Sequence, residues 1–450
     1  MKKSTVCAAL VASLMSSTAY ATDVSGFLYT TLNGEGPNQV IAIERLEDGS
    51  LGEQTAYLTG SVGGANRDAG GDAAGDFGSQ GAVQIIGDHL LAVNAGGNTV
   101  SVFGLDRDDG GLDHVANVAS GGERPVSIAF TPKGAGSDEY WVVVGNQWNN
   151  PNVQKGGAGE GAIEMYPDAA FHAEGGGHEA VLEERNITLF SFDGETGELS
   201  LVEVLDTYSG TNGGPTTVSF NHDGTKIGVA TWGISHFGTA VPTAQKPSRV
   251  YVYDFDGHTG EVSGERFFEK EGVAGSIGFS WHPGSDLLYV SNFNLIPRLR
   301  DHSLTVLADD GDAVSMVDHF GTGEGGDIDE ACWTIVSEDG SKLYLSSFGG
   351  NLISEFDLDT SSMVSIVGDA KDTAYTLRRD GTPAGDTKDM YLSSDGAFMY
   401  VLGAYQTFTV SQYGLSASGS LSLAQEYDVE AAVEMGPGAY NFLGLAGFDK

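Results

Sequence analysis

Arg124, Glu330 and Asp386 are the residues whose types and spacing promise chemistry, because each stands just ahead of an apolar stretch at the same point of a repeated unit. Aligning the repeats on their turn glycines places Gln80, Arg124, Gly214, Ala274, Glu330, Asp386 and Gly436 in one column, and four of the seven are polar or charged. A guanidinium with two carboxylates around a narrow opening can orient a polar ligand and stabilise a developing oxyanion. Carboxylates brought together also titrate upward, into the range of a general acid or base. We therefore expect Arg124, Glu330 and Asp386 to be catalytic. The plain alternative is a ring of charges that only balances itself inside a channel.

The neighbouring column contributes Lys388 beside Thr216, Ser276 and Cys332. Long insertions add further candidates: His236 close to Trp232 in the loop from Gly233 to Pro247, and Arg298, Arg300 and His302 in the segment from Phe293. With Gln80 and Lys388, the residues Trp232, His236 and Arg298 form the expected substrate contacts. The insertion from Gln147 to Arg185 bears Trp148, His172 and His178. Imidazoles can bind metal or shuttle protons, but no H-x-x-x-H or H-E-x-x-H spacing occurs, so no metal site and no cofactor are expected. Calcium is the one ion with some support, from Asp68, Asp72 and Asp76 in a glycine-rich loop, though the spacing is not that of an EF-hand and solvated surface acids explain it as well. No G-x-S-x-G elbow with a plausible triad and no phosphate-binding loop stands out, and Gly175-Gly176-Gly177 lacks a strand-to-helix setting. The Trp positions do not recur once per repeat, as pyrroloquinoline-dependent propellers require.

What must position these residues is a unit of four strands. Its clearest copies begin at Thr217-Val-Ser-Phe-Asn-His-Asp-Gly224, Ile277-Gly-Phe-Ser-Trp-His-Pro-Gly284, Trp333-Thr-Ile-Val-Ser-Glu-Asp-Gly340 and Asp389-Met-Tyr-Leu-Ser-Ser-Asp-Gly396, with terminal glycines 60, 56 and 56 residues apart. Ser127 to Gly134 is a further copy and Val83 to His89 a shortened one. Each turn precedes a second strand of β-formers such as Leu288-Tyr-Val-Ser-Asn292. Third and fourth strands flank acidic hairpins such as Asp193-Gly-Glu-Thr-Gly-Glu-Leu199. Four strands per unit make a propeller blade. Near the N-terminus Gly26 to Asn33 reads as a second strand without a first, and Gly436 to Phe442 matches Gly214 to Phe220, so the chain ends share the seventh blade. The expected fold is all-β, a seven-bladed β-propeller of four strands per blade. Its ring closes where the C-terminal strand pairs into the N-terminal blade, which removes exposed sheet edges. First strands start at the top of the channel and second strands end there, so the column and the long insertions fall on one face.

The ends and the bulk composition narrow the setting. Residues 1–21 read as a signal peptide, with Lys2-Lys3, an apolar run from Val6 to Met15 and an Ala19-Tyr20-Ala21 cleavage site. Residues 22–450 read as one propeller domain, exported to the periplasm or beyond the cell. The apolar run falls short of the ~20 residues that span a bilayer, and no membrane insertion is expected. Acidic residues outnumber basic ones by 62 to 22, which makes nucleic acid an unsuitable partner and suits salty water. Gly at 66 of 450, roughly twice the usual ~7%, fits many short strands and tight turns. Cys332 is the one cysteine of the expected mature chain, so it has no intrachain disulfide partner, and its apolar strand context reads as a buried hydrophobe.

The wording from Gly78 to Phe103 (Gly-Ser-Gln-Gly-Ala-Val-Gln-Ile-Ile-Gly-Asp-His-Leu-Leu-Ala-Val-Asn and onward) and of Ser120-Gly-Gly-Glu-Arg-Pro-Val-Ser127 resembles the lactonase family of seven-bladed propellers. That family groups the 6-phosphogluconolactonase-like proteins with the carboxymuconate cyclases, and the likeness is greatest to its exported bacterial branch. The blade pattern extends over most of the chain, but the specific wording is confined to blades two and three. The resemblance implies a lactonase-type hydrolase or isomerase acting on a small polar or anionic substrate, although no His- and Arg-bearing catalytic motif can be matched residue by residue. The alternative is a non-catalytic propeller that binds a glycan, a small anion or a protein partner on its loop-rich face.

Overall fold

The computed structural model describes residues 23–34, 36–64, 79–147, 185–208, 213–233, 247–293, 301–322, 330–348, 352–358, 371–374, 387–403, 407–416, 420–430 and 440–450. They form seven four-stranded antiparallel sheets arranged as a propeller. The innermost strands are Val83–Ile86, Pro125–Pro132, Pro215–Phe220, Ser276–Trp281, Ala331–Val336 and Thr387–Leu392 for blades two to seven, and Tyr440–Asp449 for blade one. Each packs on the next around the ring, and Tyr440–Asp449 touches both Thr387–Leu392 and Val83–Ile86, so the ring is closed. In blade one the C-terminal strand pairs antiparallel with Val24–Asn33, with Phe27 opposite Phe448 and Thr30 opposite Leu445.

Burial follows position within the blade. The second strands His89–Asn94 and Leu287–Asn292 are buried at every residue, and others such as Lys226–Thr231 at all but the first, because neighbouring sheets cover both faces. The outermost strands, such as Leu112–Ala119 and Leu199–Thr207, turn most of their side chains to solvent. The core therefore lies between blades: Val93 and Val102 of blade two pack with Val142, Val144 and Phe190 of blade three. Each such side chain taken fully out of water contributes roughly 1.5–3 kcal/mol.

The Asp-Gly turns that mark the repeat have a local cause. In Asn221 to Thr225 the Asp223 carboxylate accepts from the Thr225 N–H at 3.0 Å while Gly224 turns back at φ +71°, and Asp339 with Gly340 and Asp395 with Gly396 repeat the arrangement. Glycine supplies the left-handed backbone and the carboxylate caps the turn.

At their upper ends the inner strands of blades three to seven carry a register shift, as between Pro125 and Ser127 or between Ala331 and Trp333. This pairing corrects the sequence column at three places. The carbonyl that accepts from the residue after the second strand belongs to Arg124, Gly214, Gly275 and Glu330, so blade five contributes Gly275 in place of Ala274. In blade one Tyr440 lies opposite Asn33 as Pro215 lies opposite Thr231, three residues later than the match built on Gly436. Blade two lacks the shift, and its first strand pairs regularly from Val83. Gln80 accordingly stands outside the column.

Candidate functional site

The short first strand of blade two frees Ser79, Gln80 and Gly81 to cross the channel, and the other blades hold them there. The Gln80 amide spans to blade six, donating from Nε2 to Thr334 O at 2.9 Å and accepting from Thr334 N at 3.3 Å. Its backbone N–H donates to Thr217 Oγ1 at 3.0 Å in blade four, and its carbonyl accepts from Ser127 Oγ at 2.5 Å in blade three. Trp333 Nε1 donates to Ser79 O, and Ile128 N to Gly81 O at 2.8 Å. A β-carbon on Gly278 of blade five would stand 2.5 Å from Gln80 Oε1, so that blade meets the crossing segment with bare backbone. The segment divides the channel into an upper mouth, where the second strands end, and a lower mouth among the Asp-Gly turns.

Arg124 and Glu330 sit at the upper mouth, on blades three and six, half-buried. Both hold left-handed backbone, at φ +54° and +52°, where an L side chain is strained by of order 1 kcal/mol or more. The Arg124 N–H donates to Asn98 Oδ1 at 2.9 Å, and Glu330 O accepts from Phe348 N at 2.8 Å and from Cys332 Sγ at 3.2 Å. Lys388 is buried in the shifted stretch of blade seven, with Nζ 5.9 Å from the centre of the Trp333 ring. Trp232 is fully buried, with its ring edge-on to Phe293. It packs in the core with Ile277, Phe293 and Trp333, and its Nε1 has no hydrogen-bond partner among the described residues. Ser79 Oγ, Asn146 Oδ1 and Ser347 Oγ, at the same level, are likewise buried without partners. Asp386, His236 and Arg298 lie outside the described residues, as do Trp148, His172, His178 and Arg300.

Sequence reasoning missed Asp389. This carboxyl is buried in the channel wall of blade seven. Burial pushes its pKa up to about 7 against the opposing pull of Gly81 and Leu445 backbone hydrogen bonds and of the Lys388 charge. The signal was present, since the aligned first strands place neutral residues such as Thr217 and Trp333 where blade seven places an acid.

Among the described residues one group, Asp301, His302 and His319, brings possible metal-ligand atoms within reach of one another. The two imidazoles are stacked, with centroids 3.9 Å apart and planes 10° from parallel. A metal ion lies in the plane of each imidazole that binds it, so parallel stacked rings do not meet at one ion. Hydrogen bonds explain the cluster: His302 Nδ1 to Asp301 Oδ1 at 2.8 Å and His319 Nδ1 to Asp301 O at 2.7 Å. Asp68, Asp72 and Asp76, the calcium candidates, lie outside the described residues.

No family model and no curated protein sequence matches the chain. Solved structures do. A protein from Lactobacillus plantarum aligns over 94% of this chain and 99% of its own at TM-score 0.58 and 14% identity. A candidate 6-phosphogluconolactonase from Bacteroides fragilis aligns over 95% and 99% at TM-score 0.58 and 13% identity. A periplasmic gluconolactonase from Pseudomonas aeruginosa aligns over 93% and 99%, also at TM-score 0.58, with 14% identity. These likenesses establish a shared fold, that of the 6-phosphogluconolactonase-like seven-bladed propellers.

Proposed function

We propose that the chain is an exported lactonase-type enzyme acting on a small polar or anionic substrate at the upper mouth of the channel. The observation that carries this reading is the left-handed backbone of Arg124 and Glu330. Two charged residues occupy a strained conformation immediately ahead of inner strands, where glycine stands in blade five. Strain of this kind persists where a site demands a particular side chain. The likeness in fold to a protein described as a periplasmic gluconolactonase supports both the chemistry and the export suggested by residues 1–21.

In this reading Glu330, with Asp386 as the second carboxylate, takes a proton from water as the oxygen attacks the lactone carbonyl. Arg124 faces the oxyanion of the tetrahedral intermediate. The ring C–O bond then breaks and the proton passes to the departing alkoxide. Gln80 closes the floor beneath the substrate, Lys388 adds positive charge in the blade seven wall, and His236 and Arg298 contact the substrate from the loops above. The buried Trp232 Nε1 is available to an acceptor that enters. The test is hydrolysis of a lactone panel by the purified chain and by its Arg124→Ala and Glu330→Gln variants. Losing a positioned base or an oxyanion contact costs about 100-fold or more in kcat, and both folded variants should show such a loss. Absence of turnover on every lactone would replace this reading with a propeller that binds its ligand without transforming it.

A further inference from the structure

The crossing segment gives the channel a second chamber, and its lining differs from that of the upper mouth. A pocket of about 400 Å³ opens beside the Asp223-Gly224 turn, roofed by Gln80 and walled by the first strands of blades two to five. This volume lies within the ~300–1,000 Å³ typical of small-molecule sites. The roof amide is occupied, since both its ends are bonded to Thr334. Gln84 and Thr131 differ: each lines the pocket, and among the described residues neither side chain makes a hydrogen bond. The half-buried Gln84 amide offers a donor and an acceptor, and the Thr131 hydroxyl one of each. Phe130 and Phe279 add apolar surface between these polar groups.

The charges of the lining select the ligand class. No lysine or arginine lines the pocket; its ionisable residues, His222 and Asp223, stand exposed on the rim, and Asp223 is bonded to Thr225. A net charge of −40 repels an anion, and the lining holds no lysine or arginine to offset that repulsion. A cation would find the Asp223 carboxylate at the rim but neutral groups within. Neutral donors and acceptors interleaved with aromatic faces match a ring whose hydroxyls point outward and whose C–H faces are apolar. We propose that the lower mouth is a separate binding site for a small neutral polyhydroxylated molecule of monosaccharide size. It is divided by Gln80 from the upper site and independent of the chemistry proposed there.

D-Glucose, D-gluconate and D-glucosamine share a carbon skeleton and differ in charge, so binding of each to the purified full chain, followed by saturation-transfer NMR and titration, tests the inference directly. Glucose should bind, and gluconate and glucosamine should bind more weakly. Gln84→Leu and Thr131→Val, two substitutions close in size to the originals, should each weaken glucose by about tenfold, the equivalent of one well-formed hydrogen bond, with melting temperature near that of the parent. Arg124→Ala should leave glucose binding unchanged. The inference fails if glucose does not bind, if either charged analogue binds more tightly, or if neither lower-mouth variant alters binding in the folded state. Loss of glucose binding in Arg124→Ala would assign the sugar to the upper mouth. Since binding is read without turnover, its failure is distinct from failure of the lactonase reading.

Discussion

A carboxyl buried in a channel wall is a stability term that depends on pH, and Asp389 shows its sign. In the unfolded chain the group titrates near 3.8, while in the folded chain burial holds its pKa up to about 7. Between these values the folded state keeps a proton that the unfolded state has released, so stability falls as pH rises through this window. The full cost, of order 4 kcal/mol, applies above about pH 7. Asn keeps an acceptor for Gly81 and Leu445 and removes the charge. Asp389→Asn should therefore raise the melting temperature at pH 8 and change it little at pH 4, which thermal unfolding across that range measures. Equal shifts at both ends would mean that the carboxyl is not held neutral. Burial acts on His302 with the opposite consequence: desolvation first, with a further contribution from His319, lowers its pKa despite the Asp301 hydrogen bond. Its neutral form contributes stability above pH 6.5 that is lost as pH falls through the depressed folded value. Arg124 and Glu330 were legible as candidates because their charges interrupt a column next to apolar strands. Asp389 was harder to read, since an acid inside a strand signals burial only once the neighbouring blades are in place.

At the scale of elements, the strand pattern explains why some features could be read and others could not. Second strands such as Leu288 to Asn292 announce themselves through β-branched and aromatic residues, and Asp-Gly turns through the backbone they require. The crossing of Ser79 to Gly81 announces itself through neither. It arises because blade two lacks the register shift that the first strands of blades three to seven carry, and a missing bulge leaves no residue to notice. The consequence can be tested at Gly278, where a β-carbon would lie 2.5 Å from Gln80 Oε1 and 2.6 Å from Cys332 O. The Gln80 amide is held by two bonds to Thr334, and the Cys332 carbonyl is backbone, so neither can give way cheaply. Gly278→Ala should lower stability by about 2–3 kcal/mol, as overpacking of a close-packed interior does, measurable by denaturant unfolding. Combining it with Gln80→Ala, which shortens one of the two obstructing groups, should recover part of that loss. A neutral Gly278→Ala would show that the segment does not occupy the channel as described.

For the whole molecule, the question is what holds a closed ring of seven blades where its two ends meet. Tyr440–Asp449 and Val24–Asn33 pair along their length, but backbone pairing is common to every blade. This seam also gathers cations, in a chain with only 22 basic residues against 62 acidic ones. Arg45 bonds Asp449 and the Tyr400 hydroxyl while stacking over the Tyr400 and Tyr391 rings at 5.3 and 5.6 Å. Arg107 lies 4.8 Å from the Phe448 ring centre, and Lys450 5.1 Å from that of Phe27. The Arg45 side chain is only 4% exposed, so salt screens its ion pair weakly, and both neighbouring rings lose a partner if it is removed. Arg45→Met keeps the apolar stem and deletes the charge. The expected cost is about 3 kcal/mol, the lower end for breaking a buried pair, because Asp449 keeps access to water and its bonds to Ser394. The location of the effect is more telling than its size. Closure is local, so hydrogen exchange should accelerate first in Tyr440–Asp449 and Val24–Asn33, with the first strands of blades three to six still protected. If protection were lost uniformly around the ring, the seam would be no weaker than any other blade contact, and the cation cluster would have no special part in closing it.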